Sequence, residues 1–354
     1  MTPNGGESGR ATEAGAAAEM LRSRGMRELG PEEMRRFRRV ERIFLEVTAE
    51  RGHREIRTPT LEPLHLFTAA GTLSPQLLER VYSFLDWDGW SGERVVLRPD
   101  GTVPAARWLL EQGDLPPAGD GDPAVRLSYV EPVYRFVPGD GDREQWQAGV
   151  EIFGLGAPEG DGDLLELGAA LLRALGLAPR VELAHAGILR SALRAAALDS
   201  RQQLAAYDRV LDGDGEITEE LAAAHPAAAT ALRLLLEVTG EGTGYVANLR
   251  AALLPVLPDS EPALAELAAA AAVLDREGIP YRVLPATARN FEYYTGLTFR
   301  ALAGEAECLA GGRYDGLTEA LGGPAVPASG FGADLLRLAD LAPAVSAAGG
   351  GSGR

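Results

Sequence analysis

The stretch Glu144-Gln-Trp-Gln-Ala-Gly-Val-Glu-Ile-Phe-Gly154 indicates the fold because polar and apolar residues alternate along it. A period of two is typical of a β-strand with one polar and one apolar face. The predicted polar face consists of Gln145, Gln147, Gly149 and Glu151, and the apolar face of Trp146, Ala148, Val150 and Ile152. This polar face suits the floor of a binding pocket, and it suits an exposed sheet face equally well.

Further strands are predicted before this stretch. Residues 126–137 are rich in β-branched and aromatic side chains and would pair with it around the flexible loop at 138–142. Two apolar runs between Val81 and Leu97 predict a hairpin around a turn rich in Trp, Asp and Gly. His53–Pro59 predicts a short strand that ends at a proline, which suits an edge or an interface.

The rest of the chain divides into helical and flexible segments. From Pro31 onwards, apolar residues recur with helical spacing, at Met34, Phe37, Val40, Phe44 and Val47. A block rich in Ala, Leu and Glu then shows repeated helical periods and no candidate strand, which predicts an all-helical insertion. The expected boundaries are 31–186 and 276–342 for a mixed core, 187–275 for the insertion, and 1–30 and 343–354 for flexible termini.

The composition excludes several classes of function. The 354 residues include 51 Asp and Glu against 34 basic residues, all of them arginine, and the formal net charge is -17. Without lysine, neither a Walker A loop nor a pyridoxal-phosphate imine can form. The negative charge opposes binding to nucleic acid. No apolar run reaches the roughly 20 residues that span a bilayer and no signal peptide is apparent, so we expect a cytoplasmic protein.

Neither a metal nor a cofactor is expected. Cys308 is the only cysteine, which excludes an intrachain disulfide and a cysteine-clustered zinc site. The glycine-rich stretch Gly154–Gly160 lies between a strand and a helix, but its third glycine is one residue late for a dinucleotide site. Metal-ligand spacing is absent from the four histidines, His53, His65, His185 and His225.

A second candidate pocket segment, residues 288–299, reads Ala-Arg-Asn-Phe-Glu-Tyr-Tyr-Thr-Gly-Leu-Thr-Phe. In an extended backbone alternate residues share a face, so Arg289 would point with Tyr293 and away from Tyr294. An arginine suits a carboxylate and a phenol suits a ring nitrogen, so the segment can hold a small amino acid at both ends. A strand with a surface ion pair and two core tyrosines would have the same sequence.

Taken in order along residues 31 to 340, these motifs resemble the catalytic core of class II histidyl-tRNA synthetases. The helical block lies where that family carries its insertion. The resemblance implies an α+β fold, with an antiparallel sheet flanked by helices, and a self-dimer formed near Pro59. The matching segments are Glu55–Pro59, Leu97–Thr102, Val133–Arg135, Gln147–Gly154, Arg289 with Glu292–Tyr294, Ala310–Gly316, and Gly330–Gly332 with Arg337.

The same resemblance implies a histidine-binding pocket. It would place Asp100, Thr102 and Gln147 around the α-ammonium group of the amino acid, and Arg289 near the carboxylate. Glu151 and Tyr294 would meet the imidazole, and Tyr293 would line the wall. The full set that the resemblance assigns is Asp100, Thr102, Arg135, Gln147, Glu151, Arg289, Tyr293 and Tyr294.

The departures from the synthetase pattern concern ATP and tRNA. The synthetases have Arg-x-Glu in the second motif, where this chain has Arg135-Phe-Val137. In the last motif they have Gly-x-Glu-Arg, where this chain has Asp334-Leu-Leu-Arg337. A carboxylate where a triphosphate should lie opposes ATP binding. Because the chain stops soon after this motif, no anticodon-reading domain is expected.

A synthetase-like core that keeps a histidine pocket but lacks the ATP and tRNA contacts resembles the ATP phosphoribosyltransferase regulatory subunits. That resemblance implies a non-catalytic subunit in a hetero-oligomer with the short-form catalytic subunit. It also implies that the subunit is required for activity and confers feedback inhibition by L-histidine on the first step of histidine biosynthesis. Two alternatives stay open: a truncated synthetase-like ligase that activates an amino acid, and a scaffold with a vestigial pocket. Neither nucleic acid nor a membrane is an expected partner.

Overall fold

The computed structural model describes most of the chain, and the segments expected to be flexible lie largely outside the described part. The first described turn is held to the body of the protein by Arg27, which pairs with Glu33 at 2.8 Å and with Asp340 at 3.4 Å. The described residues are 22–71, 81–87, 92–113, 115, 124–139, 141–211, 213–287 and 293–343.

A nine-stranded sheet forms the centre of the described fold. Its order is β1-β5-β6-β12-β11-β10-β7-β9-β8, and a second sheet has the order β2-β4-β3. The strands are β1 (Arg54–Glu55), β2 (Leu61–Pro63), β3 (Ser83–Trp87), β4 (Gly92–Leu97), β5 (Val125–Tyr134), β6 (Glu144–Phe153), β7 (Arg180–His185), β8 (Gly240–Glu241), β9 (Tyr281–Val283), β10 (Leu297–Ala303), β11 (Ala306–Arg313) and β12 (Ala328–Asp334).

Helices cover both faces of the large sheet. In chain order the described helices are α1 (Pro31–Glu50), α2 (Leu64–Ala69), α3 (Thr102–Gln112), α4 (Glu159–Ala174), α5 (Ala186–Ala195), α6 (Ser200–Leu211), α7 (Glu216–Ala222), α8 (Pro226–Glu237), α9 (Gly242–Leu253), α10 (Glu261–Glu277), α11 (Leu317–Ala320) and α12 (Leu335–Leu341). None of them is long and apolar enough to cross a membrane. The sheets and the helices packed on them confirm the α+β class predicted from the sequence.

The large sheet is antiparallel at its centre and mixed near its ends. The pairs of the predicted antiparallel sheet are antiparallel except at two places, where β1 runs parallel to β5 and β7 runs parallel to β9. A parallel pair needs a long crossover connection. The segment between β7 and β9 contains the helical block, which is long enough to supply one.

The helical block begins and ends close to its predicted bounds but contains one short strand. Helix α5 begins at Ala186 and α10 ends at Glu277. Between them, β8 pairs antiparallel with the edge strand β9, so the expectation of a block without strands is wrong. Gly240 and Glu241 have low strand propensity, and the pairing arises from the open edge of β9 rather than from a local pattern.

Strand β6 has the two faces that its alternation predicts. Ala148, Val150 and Ile152 are buried in the main core together with residues of α1 and α4. On the other face, Glu151 lies opposite Leu127 of β5 and Gly330 of β12. The polar face of β6 is therefore buried at Gly149 and Glu151 and half-buried at Gln145 and Gln147, so it is not an exposed sheet face.

Two further predictions concern α1 and the small sheet. Helix α1 buries Phe37, Val40 and Phe44, as its spacing predicts. Strands β3 and β4 form the predicted antiparallel pair, while the turn at residues 88–91 lies outside the described part of the chain.

Candidate functional site

Glu151 lies at the bottom of the candidate site and is completely buried. Its Oε1 accepts a hydrogen bond from the Tyr129 hydroxyl at 3.0 Å, and its Oε2 accepts one from the Tyr314 hydroxyl. No described cationic side chain forms an ion pair with it. Burial raises the pKa of Glu151 well above its ordinary value, and the nearby charge of Asp100 adds to the rise, although hydrogen bonds from Thr102 and Tyr129 oppose it. The buried Glu151 carboxyl therefore holds its proton more strongly than an exposed glutamate does.

Three tyrosines form the wall above this carboxyl. The rings of Tyr293 and Tyr314 stack, with centroids 5.0 Å apart and planes at 20°. Tyr294 meets Tyr293 edge-on at 5.1 Å and packs against the small residues Ala184 and Ala186. Stacked and edge-on pairs of this kind hold aromatic rings in defined positions. The wall can accommodate a flat ring.

The hydroxyl of Tyr293 is buried without a hydrogen bond of normal geometry to any described residue. Burial raises its pKa well above the usual range, although the Thr102 side chain is close enough to lower it slightly. A buried hydroxyl without a full set of partners favours a ligand that supplies one. This hydroxyl is therefore a buried group that a ligand could satisfy.

The loop before α3 carries the second group of predicted residues. Asp100 Oδ1 accepts a hydrogen bond from the Val103 amide at 3.2 Å, and Gln147 Oε1 accepts one from the Gly101 amide at 2.9 Å. Asp100 accepts from the helix amide, and the Thr102 hydroxyl lies close to Glu151 and Tyr129. Burial raises the pKa of the Asp100 carboxyl, and the charge of Arg135 partly offsets this.

Two glycines make room for these side chains. A Cβ on Gly149 would lie 2.2 Å from the ring of Tyr129, which is its partner in the register of β5 and β6. A Cβ on Gly330 would lie 2.3 Å from Glu151 Oε2 and 2.2 Å from the hydroxyl of Tyr314. Glycine is therefore required where the strand backbones approach the polar cluster.

The predicted residues do not all lie together. The structure gathers six of them at the floor and wall, namely Asp100, Thr102, Gln147, Glu151, Tyr293 and Tyr294. Arg135 is exposed at the end of β5, where its Nε donates to the Pro99 carbonyl at 2.7 Å. Arg289 and its neighbour Glu292 lie outside the described residues, so the carboxylate contact assigned to Arg289 stays a prediction.

The sequence interpretation missed two members of the site. Tyr129 and Tyr314 both donate to Glu151, and neither was assigned a role. A signal for Tyr129 was present, because a glycine within a predicted strand, Gly149, marks a close approach by a neighbour. Tyr314 has no such local signal.

Arg313 holds the backbone beside Tyr314 in place. It forms an ion pair with Asp315 at 2.9 Å. Arg313 Nε also donates to Asp161 of α4 at 2.8 Å, and both residues are almost fully buried. Buried pairs with several hydrogen bonds define a single arrangement of the elements that they join. This pair therefore fixes β11 and the following Tyr314 against α4.

The side chain of Asp334 binds the free amides at the start of α12. Asp334 precedes the first turn, and its Oδ1 accepts hydrogen bonds from the amides of Leu336 at 3.0 Å and Arg337 at 3.2 Å. Asp334 is therefore the N-terminal cap of α12. Its carboxylate occupies the amides that an anion would otherwise use.

No group of three or more His, Cys, Asp or Glu side chains in the described chain could hold a metal ion. The candidate site therefore consists of carboxyl, hydroxyl, amide and aromatic groups. Together they can surround a small molecule that has a cationic end and a flat polar ring.

Comparison with known proteins identifies the family to which this chain belongs. The family model for histidyl-tRNA synthetase matches residues 25–338. ATP phosphoribosyltransferase regulatory subunits from two strains of Dehalococcoides mccartyi, CBDB1 and BAV1, are each 40% identical over 321 residues. Each match covers 90% of this chain and 76% of the relative.

Solved structures show the same fold. A structure from Bacillus halodurans, described as an ATP phosphoribosyltransferase regulatory subunit/histidyl-tRNA synthetase, is 26% identical with a TM-score of 0.76 and covers 91% of this chain and 83% of its own. The apo histidyl-tRNA synthetase of S. aureus, at 22% identity and a TM-score of 0.60, covers 90% of this chain and 72% of its own. The chain therefore belongs to the histidyl-tRNA synthetase-like family and, within it, to the ATP phosphoribosyltransferase regulatory subunits.

Proposed function

We propose that this chain is the non-catalytic regulatory subunit of an ATP phosphoribosyltransferase and that L-histidine is its effector. It would be required for the activity of a short-form catalytic subunit in a cytoplasmic hetero-oligomer. The observation that carries the effector assignment is the buried acid Glu151, which hydroxyl groups hold and no described cation neutralises. Such a group suits a ligand that brings its own basic ring nitrogen.

Histidine matches the remaining groups of the pocket. Its imidazole is flat and can lie along the tyrosine wall, and its ammonium group is complementary to Asp100 and Gln147. Its carboxylate would require a cation, the role that the resemblance gives to Arg289. Regulation would follow from thermodynamic linkage. Histidine that binds one assembly state more tightly raises the population of that state, and the ratio of its affinities for the two states limits the size of the shift.

We propose that the chain is not catalytic because the two motifs that contact ATP in the synthetases are altered. Arg135-Phe-Val137 lacks the glutamate of the synthetase motif, and the Asp334 carboxylate occupies the amides at the start of α12. Arg337 is exposed beside that carboxylate. A triphosphate placed there would meet a like charge, which opposes its binding.

Reconstitution tests this function directly. The purified chain is mixed with an otherwise inactive short-form phosphoribosyltransferase, and product formation is followed with and without histidine. We expect activity to appear on mixing and to fall with histidine, and Arg289→Ala to blunt the inhibition while leaving assembly on a sizing column intact. Pyrophosphate exchange driven by ATP and histidine in the pure chain would instead identify a ligase.

A self-dimer is the second part of the proposal, and the small sheet supports it. Strand β3 is exposed along its whole length, and Leu85 and Trp87 are 56% and 66% exposed. On the opposite face of the same sheet, Leu61 of β2, close to Pro59, and Phe84 of β3 are 43% and 44% exposed. Large apolar side chains gathered on one exposed sheet are typical of an interface.

The dimer is tested by changing this surface. Leu85→Asp combined with Trp87→Ser should shift the chain from dimer to monomer in sedimentation, because charge and lost apolar area both oppose the contact. Val238 is also exposed, at 37%, but belongs to the helical block. Val238→Asp is the control and should leave the sedimentation profile unchanged. A dimer that survives the double change excludes this surface.

A further inference from the structure

A second cleft lies on the other face of the central sheet. Ile152 of β6 lines it, and Ile152 follows Glu151, so the two side chains point to opposite faces. The cleft is therefore separate from the proposed histidine pocket. It has a volume of about 210 Å³ and is lined by Arg51, His53, Arg126, Ile152, Asp163 and Leu167.

His53 is a buried polar side chain without partners at this cleft. The residue is 8% exposed, and neither ring nitrogen makes a hydrogen bond of normal geometry to the described residues. Its backbone amide donates to the Thr48 carbonyl at 3.0 Å, which holds the residue against the end of α1. A neutral imidazole has one N–H donor. That donor is available to a molecule in the cleft.

Arg126 supplies a second unused donor. Its Nη2 is 2.5 Å from Asp163 Oδ2, whereas Nη1 is buried and has no partner among the residues that the structure describes. Arg51 lies 3.5 Å from Glu166, a carboxylate that also binds Arg276. The carboxylates near the cleft are thus already paired. The unmet groups on Arg126 are donors and call for acceptor oxygens.

The electrostatic field at His53 is positive although the chain as a whole is acidic. The pKa of His53 is lowered to about 4, mainly by burial and next by the positive charge of Arg126; the Thr48 carbonyl opposes this, and the charge of Arg51 adds a smaller lowering. The charged groups that face the ring are Arg51 at the end of α1, Arg126 of β5, and Asp163 and Glu166 of α4, with Arg276 of α10 beyond Glu166.

We propose that this cleft binds a small oxyanion, whose carboxylate or phosphate oxygens accept hydrogen bonds from Arg126 and His53. The guanidinium fork suits both kinds of group. Ile152 and Leu167 form an apolar wall that strengthens the interaction by limiting water. The bound negative charge favours the protonated imidazole, so it raises the pKa of His53.

The test follows the ring of His53 by NMR in the full chain. Binding is measured near neutral pH, and the apparent pKa is measured by titration from there towards pH about 4. Inorganic phosphate and formate are the two probes, and the missing signals of His53→Phe assign the ring. We expect saturable shifts with at least one probe, and an apparent pKa of His53 raised by about 1 unit or more in its presence. A response to phosphate alone, or to formate alone, identifies the group that the cleft prefers. No saturable shift with either probe overturns the proposal.

Variants separate a built site from general charge effects. Arg126→Gln should weaken binding of the active probe about tenfold, because a charge-assisted hydrogen bond is lost. Arg126→Lys should recover part of it. The matched control is Arg173→Gln, which changes an exposed arginine of α4 that pairs with Glu277 at 3.2 Å outside the cleft. If Arg126→Gln does not fold, His53→Phe, which keeps the ring volume, should weaken binding measured by calorimetry. Unchanged affinity in the folded variants overturns the proposal.

Discussion

Two buried glutamates on neighbouring strands of the central sheet have opposite surroundings. Glu131 of β5 lies 2.9 Å from Arg98 Nη1 and accepts a hydrogen bond from the Thr58 hydroxyl at 2.8 Å. Both members of the ion pair are 1% exposed. Glu151 of β6 is equally buried, but it contacts hydroxyl groups and pairs with no described cation.

The difference shows how burial alone fails to identify a functional carboxyl. The partners of Glu131 all come from the chain, and Arg98 also donates to the carbonyls of Thr58 and Pro132, so this charge is balanced inside the structure. No described cation balances Glu151, and burial raises the pKa of its carboxyl. A buried acid in that state can respond to a basic ligand, whereas a balanced ion pair cannot without breaking.

The largest expected effect comes from breaking the balanced pair. Arg98→Met should lower the free energy of unfolding by about 3–5 kcal/mol, because it leaves the Glu131 charge buried and unpaired. Urea denaturation followed by circular dichroism measures the change. The double variant Arg98→Met/Glu131→Gln should recover part of the loss. A loss under about 1 kcal/mol in the single variant would show that the pair is not the structural element described here.

A smaller effect is expected at the other glutamate, and on binding rather than folding. Glu151→Gln has the shape of the neutral acid, so stability should change little at acidic pH, while histidine affinity should fall by about 1.5–3 kcal/mol. Calorimetry measures both the native chain and the variant. Glu144→Gln, at the start of the same strand, is the control and should bind normally. Unchanged affinity in Glu151→Gln would remove this residue from the proposed pocket.

The smallest effect is a gradual trend with pH, and its sign is the informative quantity. Burial raises the pKa of Glu151 in the folded state above its ordinary value of about 4.5. As pH rises above that value, the unfolded chain loses this proton while the folded chain keeps it, so the native state loses stability. Glu151→Gln lacks this penalty and should gain stability relative to the native chain as pH rises. A difference that is constant with pH would mean that the carboxyl is already ionised in the fold.

Sequence patterns predicted those parts of the site whose signal is local. The alternation along β6 placed Glu151 and Ile152 on opposite faces, and the spacing along α1 placed Phe37 and Phe44 in the core. The parallel pairing of β7 with β9 was missed, because strand direction in a sheet depends on a connection of about a hundred residues and not on either strand.

The contacts that give the site its chemistry come from distant parts of the chain. Tyr314 reaches Glu151 across 163 positions of sequence. The second cleft needs the end of α1, strand β5 and helix α4 together before His53 and Arg126 face one cavity. Neither residue has a sequence neighbour that indicates this arrangement.

The sequence by itself determined the elements, the polar face of β6 and the family resemblance, because helical and strand periodicity are properties of neighbouring residues along one backbone. Only the tertiary structure decided which carboxyl is balanced by a cation and which is not. Strand order and register select the partner of each buried side chain, and those depend on packing across the whole sheet. For this reason Glu131 and Glu151, both glutamates in predicted strands, differ in their partners and in the role that each can have.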